Sequence, residues 1–329
     1  MQLGEASHCQ RGRRPRLGPE NRCSISLRTE IRFESGGREH PVEEHHWRIL
    51  LDRIAGQKCT PFLGAGAAAP TLPLGSKIAA DWAQEHKFPL EDAHDLTRVA
   101  QFLAVKVDPM TPKEWMSELL ATSGHPDFDD ADEPHSVLAA LPFPLYLTTN
   151  YDDFMTKALR HHGKEPRQEL CRWNERLLAQ ASAFDSPDGY QPTEREPLVY
   201  HLHGHLGATE SLVLTEDDYF DFLVNIPQIG IPPPIQEALS ATSLLFLGYR
   251  LADWNFRVLF RGFVELTQSS DRRLSVTVQL PPQSSSELQE RAIEYLTRYF
   301  DRKEIVVYWG DVRDFLTELR SRWQQRYGD

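Results

Sequence analysis

Trp47, Leu50, Leu51 and Ile54 are spaced for one face of a helix, and Gly56 is placed to stop it. A short apolar run, Pro61 to Leu63, then reads as a buried strand that leads straight into Gly64-Ala65-Gly66. A helical pattern resumes near Gly75. Further helical patterns cover residues 77–86, 93–107, 112–122 and 134–141, with Pro109, Gly124 and Pro126 between them. No strand pattern interrupts this stretch. Residues 77–141 are therefore expected to form a helical subdomain inserted between two strands, suited to covering a ligand on the glycine loop.

Phe143 to Thr149 is a second buried run; it ends in Asn150, and a helix is expected over 152–161. Residues 163–196 are polar and bear prolines, an excursion with one short apolar piece at 177–183. Pro197 to Leu202 reads as a third strand, with His203-Gly204-His205 at its end. Thr215 is the expected N-cap of the next helix. Ile231-Pro232-Pro233-Pro234 is a break, and a helix to Ser240 follows. Ser243 to Leu247 is the most apolar strand candidate, closed by Gly248. A helix from Asp253 to about Leu266, a strand over 274–280, a helix over 284–299, a strand over 304–309 and a last helix from Asp311 complete the pattern. Strands apolar on both faces, alternating with helices, predict an α/β fold: a Rossmann-like parallel sheet of about six strands covered by helices.

Charge and composition narrow this picture. Net charge is −12 over 329 residues, which opposes binding to a nucleic acid backbone. No apolar run reaches the roughly 20 residues that span a bilayer, and the N-terminus lacks a signal-peptide core. The expectation is a soluble, cytoplasmic protein with no membrane partner. Residues 1–42 carry Arg11, Arg13, Arg14, Arg16, Arg22, Arg28, Arg32 and Arg38 with little apolar periodicity. They read as a disordered tail or an extension upstream of the true start, or else as a basic arm for a partner. The folded, ligand-binding part is expected over 43–329. Cys9, Cys23, Cys59 and Cys171 are scattered and form no Cys-x-x-Cys pair, so no zinc site is expected from them.

In a parallel sheet, ligands bind beyond the carboxyl ends of the strands. The residues at those ends are Gly64-Ala65-Gly66, Asn150 with Asp152, His203-Gly204, Gly248-Tyr249-Arg250 with Asp253, and Trp309-Gly310-Asp311. A strand, a glycine turn and a helix bring backbone N–H groups close to a diphosphate. Each residue also has a plainer reading. Asn150 suits a helix N-cap, with Asp152 and Asp153 in the first turn. His201, His203 and His205 would share a face, as a metal site needs, only if the strand continued past Gly204. Trp254 and Trp309 suit the core, and Arg250 suits either a phosphate or a surface ion pair.

Together these stretches resemble the sirtuin-like NAD-binding family, and most of all its prokaryotic NAD-hydrolase branch. Phe62-Leu63-Gly64-Ala65-Gly66 resembles the family's first loop, with Pro73-Leu74-Gly75 where that loop passes into its helix. Thr148-Thr149-Asn150-Tyr151-Asp152 resembles its Thr-x-Asn-x-Asp stretch, and Leu202-His203-Gly204 its catalytic His-Gly. Phe246-Leu247-Gly248-Tyr249-Arg250-Leu251-Ala252-Asp253-Trp254 and Tyr308-Trp309-Gly310-Asp311 resemble two motifs of the hydrolase branch. Five stretches match in the right order, over about residues 45–325.

The resemblance implies an NAD hydrolase that releases nicotinamide and ADP-ribose, an NAD-depleting effector of bacterial anti-phage defence. It implies Asn150, His203 and Asp152 as catalytic residues, His203 acting as base. NAD contacts are implied at Gly64, Ala65, Gly66, Thr149, Gly204, Gly248, Tyr249 and Asp253. It also implies control by homo-oligomerisation or by a partner, a DNA-translocating ATPase or an argonaute-like protein. Two departures stand out. Ala67-Ala68-Ala69 lacks the serine that often follows Gly-Ala-Gly, and the paired cysteines of the deacylases' zinc module are absent. Protein deacylation, ADP-ribosyl transfer and a non-catalytic NAD- or ADP-ribose-binding role are the alternatives. The choice between NAD and NADP stays open.

Overall fold

The computed structural model describes residues 42–69, 71–185, 189–229, 231–250, 274–281, 286–301 and 304–328. Seven strands form one sheet: β1 (Cys59–Leu63), β2 (Leu145–Thr148), β3 (Arg167–Leu170), β4 (Leu198–His201), β5 (Ser243–Leu247), β6 (Ser275–Gln279) and β7 (Ile305–Trp309). Their order is β3-β4-β2-β1-β5-β6-β7, and every pair is parallel. Among the described residues eleven α-helices flank the sheet. They include α1 (Glu44–Ala55), α2 (Gly75–His86), α3 (Leu96–Lys106), α4 (Thr111–Ala121), α5 (Pro134–Ala140), α6 (Phe154–His161), α7 (Glu175–Leu178), α8 (Glu216–Ile229), α9 (Pro233–Ala241), α10 (Ser286–Asp301) and α11 (Val312–Tyr327). The Rossmann-like α/β reading holds.

The period of two along each strand decides the layering. Phe62, Leu145, Leu147, Leu198, Tyr200, Leu244 and Phe246 join one hydrophobic cluster, beneath α8 and α9. Their neighbours Leu63, Tyr146, Val199, Leu245 and Leu247 join another, with α1, α5, α6 and α11. Both faces are dry, as a parallel sheet requires. A third cluster belongs to α2, α3 and α4, through Ile78, Trp82, Val99, Leu103, Met116 and Leu120. These three helices lie between β1 and β2 in sequence.

One strand is additional to the six expected. Arg167-Gln168-Glu169-Leu170, inside the polar excursion, pairs with β4 at the sheet edge. It escaped the hydrophobic pattern because an edge strand is covered on fewer sides and tolerates charged side chains. Pro61 also finds its explanation here. The ladder from β1 to β2 begins only at Phe62, one residue past the proline, which has no N–H to contribute. The helix expected over 253–266 lies outside the described residues.

The connections from β1 run to one side of the sheet and those from β5 to the other. The carboxyl ends of β1 and β5 therefore flank a topological switch point, the crevice where such sheets bind ligands.

Candidate active site

Two glycine-bearing loops meet at that crevice. After β1, Gly64 N–H donates to the Leu247 carbonyl at 2.8 Å, and Gly66 N–H donates to the Gly248 carbonyl at 2.9 Å. A 3-10 turn over Ala65–Ala67 then carries the chain away. A Cβ on Gly66 would stand 2.8 Å from Gly248 Cα, and one on Gly248 would stand 2.3 Å from Ala67 N. Gly248 also has φ +78°, a left-handed conformation that glycine adopts without strain. These glycines are required first by the contact between the two loops.

Tyr249 locks the same junction. Its hydroxyl donates to the Leu63 carbonyl at 2.7 Å and lies 2.9 Å from Thr149 Oγ1. Its ring lies over Gly64, where a Cβ would be 2.8 Å from ring carbons. Burial raises the phenol's pKa, so it stays protonated.

On the other side of β1 the rim is made of polar side chains. Asn150 is buried beyond β2; its Nδ2 donates to the Gly64 carbonyl at 3.2 Å, and its N–H donates to Thr148 Oγ1 at 2.9 Å. Its own carbonyl lies 3.3 Å from His201 Nδ1. The side-chain amide is thus held from the β1 side and the main chain from the β4 side, and the cap position of α6 falls to Asp153. Asp152 is buried and accepts from Phe154 N–H at 3.0 Å, at the start of α6. Burial raises its carboxyl pKa, and nearby His135 opposes that rise.

β4 ends at His201, and the chain turns through Leu202 and His203 into Gly204, at φ +89°. A Cβ on Gly204 would stand 2.2 Å from the Ser211 carbonyl oxygen, so this glycine serves the turn. The turn separates the three histidines. His201 and His205 pair edge to face at 4.8 Å, whereas His203 packs against Tyr219 and Phe222 at 5.1 and 5.2 Å. Among the described residues no group of three His, Cys, Asp or Glu side chains is arranged to hold a metal ion.

His203 is 5% exposed, and its Nε2 is buried with no hydrogen-bond partner. Burial pushes its pKa down to about 3. The imidazole is neutral at physiological pH because of its apolar surroundings, rather than by titrating near its ordinary value.

Ala65, Gly66, Thr149, Asn150, Asp152, His203, Gly248 and Tyr249 all line one cavity of about 1330 Å³. Gly64 lies beneath Tyr249 and Gly204 against Ser211, so each acts one step back from the wall. Asp253 lies outside the described residues. Arg250 also lines the cavity. Trp309 packs on the core cluster and donates from Nε1 to Thr297 Oγ1 at 3.2 Å. Asp311 caps α11 by accepting from Asp314 N–H.

Two features were not foreseen from sequence. Tyr219, read only as a helical position, lines the cavity beside His203. Glu133 and His135 form a buried pair at 2.7 Å, and Glu133 also caps α5 through Ser136 N–H. The only local signal for this pair is an acidic residue before Pro134 at a helix start.

Residues 144–300 match the family model of the SIR2-like domain. The NAD(+) hydrolase ThsA of Acinetobacter baumannii (strain 532279) is 25% identical over 303 residues, covering 85% of this chain and 58% of that protein. The NAD(+) hydrolase ThsA of Bacillus cereus (strain MSX-D12) is 27% identical over 304 residues, covering 86% and 58%. That of Cytobacillus dafuensis is 28% identical over 193 residues, covering 58% and 35%. The chain therefore spans little more than half the length of the first two relatives and about a third of the last. The resemblance read from the strand-end motifs is borne out.

Proposed function

We propose that this chain, which carries a SIR2-like domain, is an NAD hydrolase. The observation that carries the reading is His203: a neutral, buried imidazole on the cavity wall with an unpartnered Nε2. Nicotinamide is a cationic leaving group in NAD, so no strong general acid is required. The bond between C1′ and the nicotinamide nitrogen breaks, its electron pair leaves with nicotinamide, and oxocarbenium character develops on the ribose. Water adds to C1′ and releases a proton, giving ADP-ribose.

The chain's part is to hold, orient and exclude. Ala65 and the start of α2, at Gly75 and Ser76, line the cavity where a diphosphate would lie, while the N–H groups of Gly64 and Gly66 are taken up by the end of β5 and the loop after it. Asn150, with its Nδ2 fixed on Gly64, keeps an amide oxygen for a ribose hydroxyl or the attacking water. His203 Nε2 accepts a proton from a ribose hydroxyl or that water. Asp152 offers a carboxyl group to the nicotinamide amide. Relatives named NAD(+) hydrolase support this reaction over deacylation and ADP-ribosyl transfer.

The finer biology follows the same resemblance. We assign the protein to the cytoplasm, as an NAD-depleting effector of anti-phage defence held inactive until it assembles with itself or with a partner ATPase or argonaute-like protein. No helix among the described residues is long and apolar enough to cross a membrane.

The test is NAD consumption by the purified chain, beside Asn150→Ala and His203→Ala, with products separated chromatographically. Nicotinamide and ADP-ribose from the parent and neither from the variants is the expected result. Turnover that survives in His203→Ala, or transfer of ADP-ribose to an acceptor in place of hydrolysis, overturns the reading.

A further inference from the structure

Tyr219 stands in the first turn of α8, with its hydroxyl 3.4 Å from His203 Nδ1 and its ring edge-on to the imidazole. A neutral imidazole carries one N–H and one lone pair, and the bond made by one nitrogen settles which it is. His203 Nε2 is buried without a partner. A buried N–H with no acceptor is more costly than a buried lone pair with no donor. The proton therefore belongs on Nδ1, where an acceptor oxygen is in reach, and the lone pair belongs on Nε2.

We propose that Tyr219 is a positioning residue: it holds His203 as the Nδ1–H tautomer, which leaves the Nε2 lone pair for the substrate. This deepens the reading of His203 as the base and rests on it. A histidine with Nε2–H would present a donor where a proton acceptor is needed.

The preceding turn explains why Tyr219 keeps its place. Glu216 pairs with Arg98 at 3.4 Å. Asp217 is bonded twice by Gln101, through its N–H at 3.0 Å and its carboxylate at 2.8 Å. Asp218 pairs with Lys113 at 2.7 Å, both side chains almost fully buried, and accepts from Thr215 N–H while Thr215 Oγ1 accepts from Asp218 N–H. Three consecutive acidic residues thus fasten the start of α8 to α3 and α4, and the fourth residue turns inward to the histidine. The helical layer, rather than the sheet, sets where the His203 proton resides.

The experiment uses the full chain labelled with ring-¹⁵N histidine and records long-range ¹H–¹⁵N spectra at neutral pH. His203→Gln identifies the His203 signals by their loss. The expected spectrum is the Nδ1–H pattern for the parent and the loss of that single-tautomer pattern, with Nε2–H appearing beside it, in Tyr219→Phe. That variant keeps the aromatic ring and removes only the hydroxyl. Its kcat for NAD falls about tenfold, as for a misoriented base, with KM within about twofold. An Nε2–H pattern in the parent, an unchanged tautomer in Tyr219→Phe, or a lost single-tautomer pattern with full kcat overturns the proposal. The spectra decide the tautomer even where the parent fails to turn over NAD, so a failure of the hydrolase reading is told apart from a failure of this one.

Discussion

The two sides of the strand-end rim are built on opposite principles. Around β1 and β5 the wall is backbone. Gly64, Gly66 and Gly248 let two loops touch, and Tyr249 fastens them from above. Around β2 and β4 the wall is buried polar side chain: Asn150, Asp152, His201 and His203. The first side is satisfied within itself. The second keeps imidazole nitrogens without partners, at His201 and His203. Shape is stored on one side and chemistry on the other. A substitution should therefore reveal its side by which property it damages.

The largest expected effect is on the chemical side. Asn150→Ala and His203→Ala should each lower NAD turnover by about 10²–10⁴-fold, the range for a lost acid–base or orienting group. Thermal denaturation of the two variants should show little loss of stability. A parallel collapse of the fold would erase the proposed contrast.

On the shape side, Gly248→Ala should destabilise by about 2–4 kcal/mol, from the left-handed backbone and the forced contact with Ala67 together. Urea unfolding measures this. Gly66→Ala, which keeps an ordinary φ but still meets Gly248 Cα, should be milder. Equal losses from the two would mean that packing alone, without the backbone strain, limits the site.

Acid should also find the chemical side first. Burial pushes His201 and His203 down from 6.5 to about 3, the neighbouring His205 adding to the effect on His201. Between those values the unfolded chain binds protons that the native state refuses, so stability falls as pH falls through the window. Each histidine contributes a slope of up to about 1.4 kcal/mol per pH unit. Asp152 works in the opposite sense. Its pKa is raised by burial, so the native state takes up that proton earlier and offsets part of the loss. Urea midpoints at pH 7 and pH 5 should differ accordingly, and His201→Gln should flatten the slope.

The smallest effect should come from Tyr249→Phe. It removes a hydroxyl that bonds Leu63 and Thr149 but leaves the ring over Gly64. A loss of about 1 kcal/mol is expected by thermal denaturation, with NAD turnover largely kept. A loss of turnover as deep as that of His203→Ala would move Tyr249 to the chemical side.

Much of this was readable along the chain because it is local. The strands β1, β2, β4 and β5 are apolar on both faces, and a strand buried twice announces itself in four or five residues. Thr215 was recognisable as a cap because capping spans only the first helical turn. The residues after each strand could be grouped because a parallel sheet sends all its carboxyl ends to one rim. β3 was not readable, since Arg167 and Glu169 at an edge look like loop residues until β4 is beside them.

What the linear order could not contain is whatever depends on a contact between distant segments. Gly66 and Gly248 suggested room for NAD, and only the packed loops show that they first make room for each other. The resemblance implied His203 as a base, and only the walls of Tyr219 and Phe222 make it a neutral imidazole with an unpartnered Nε2. The sequence alone determined which residue types stand at the strand ends, because backbone periodicity is written residue by residue. Tertiary structure decided their protonation, partners and exposure, because desolvation and steric contact belong to surroundings assembled from all parts of the chain.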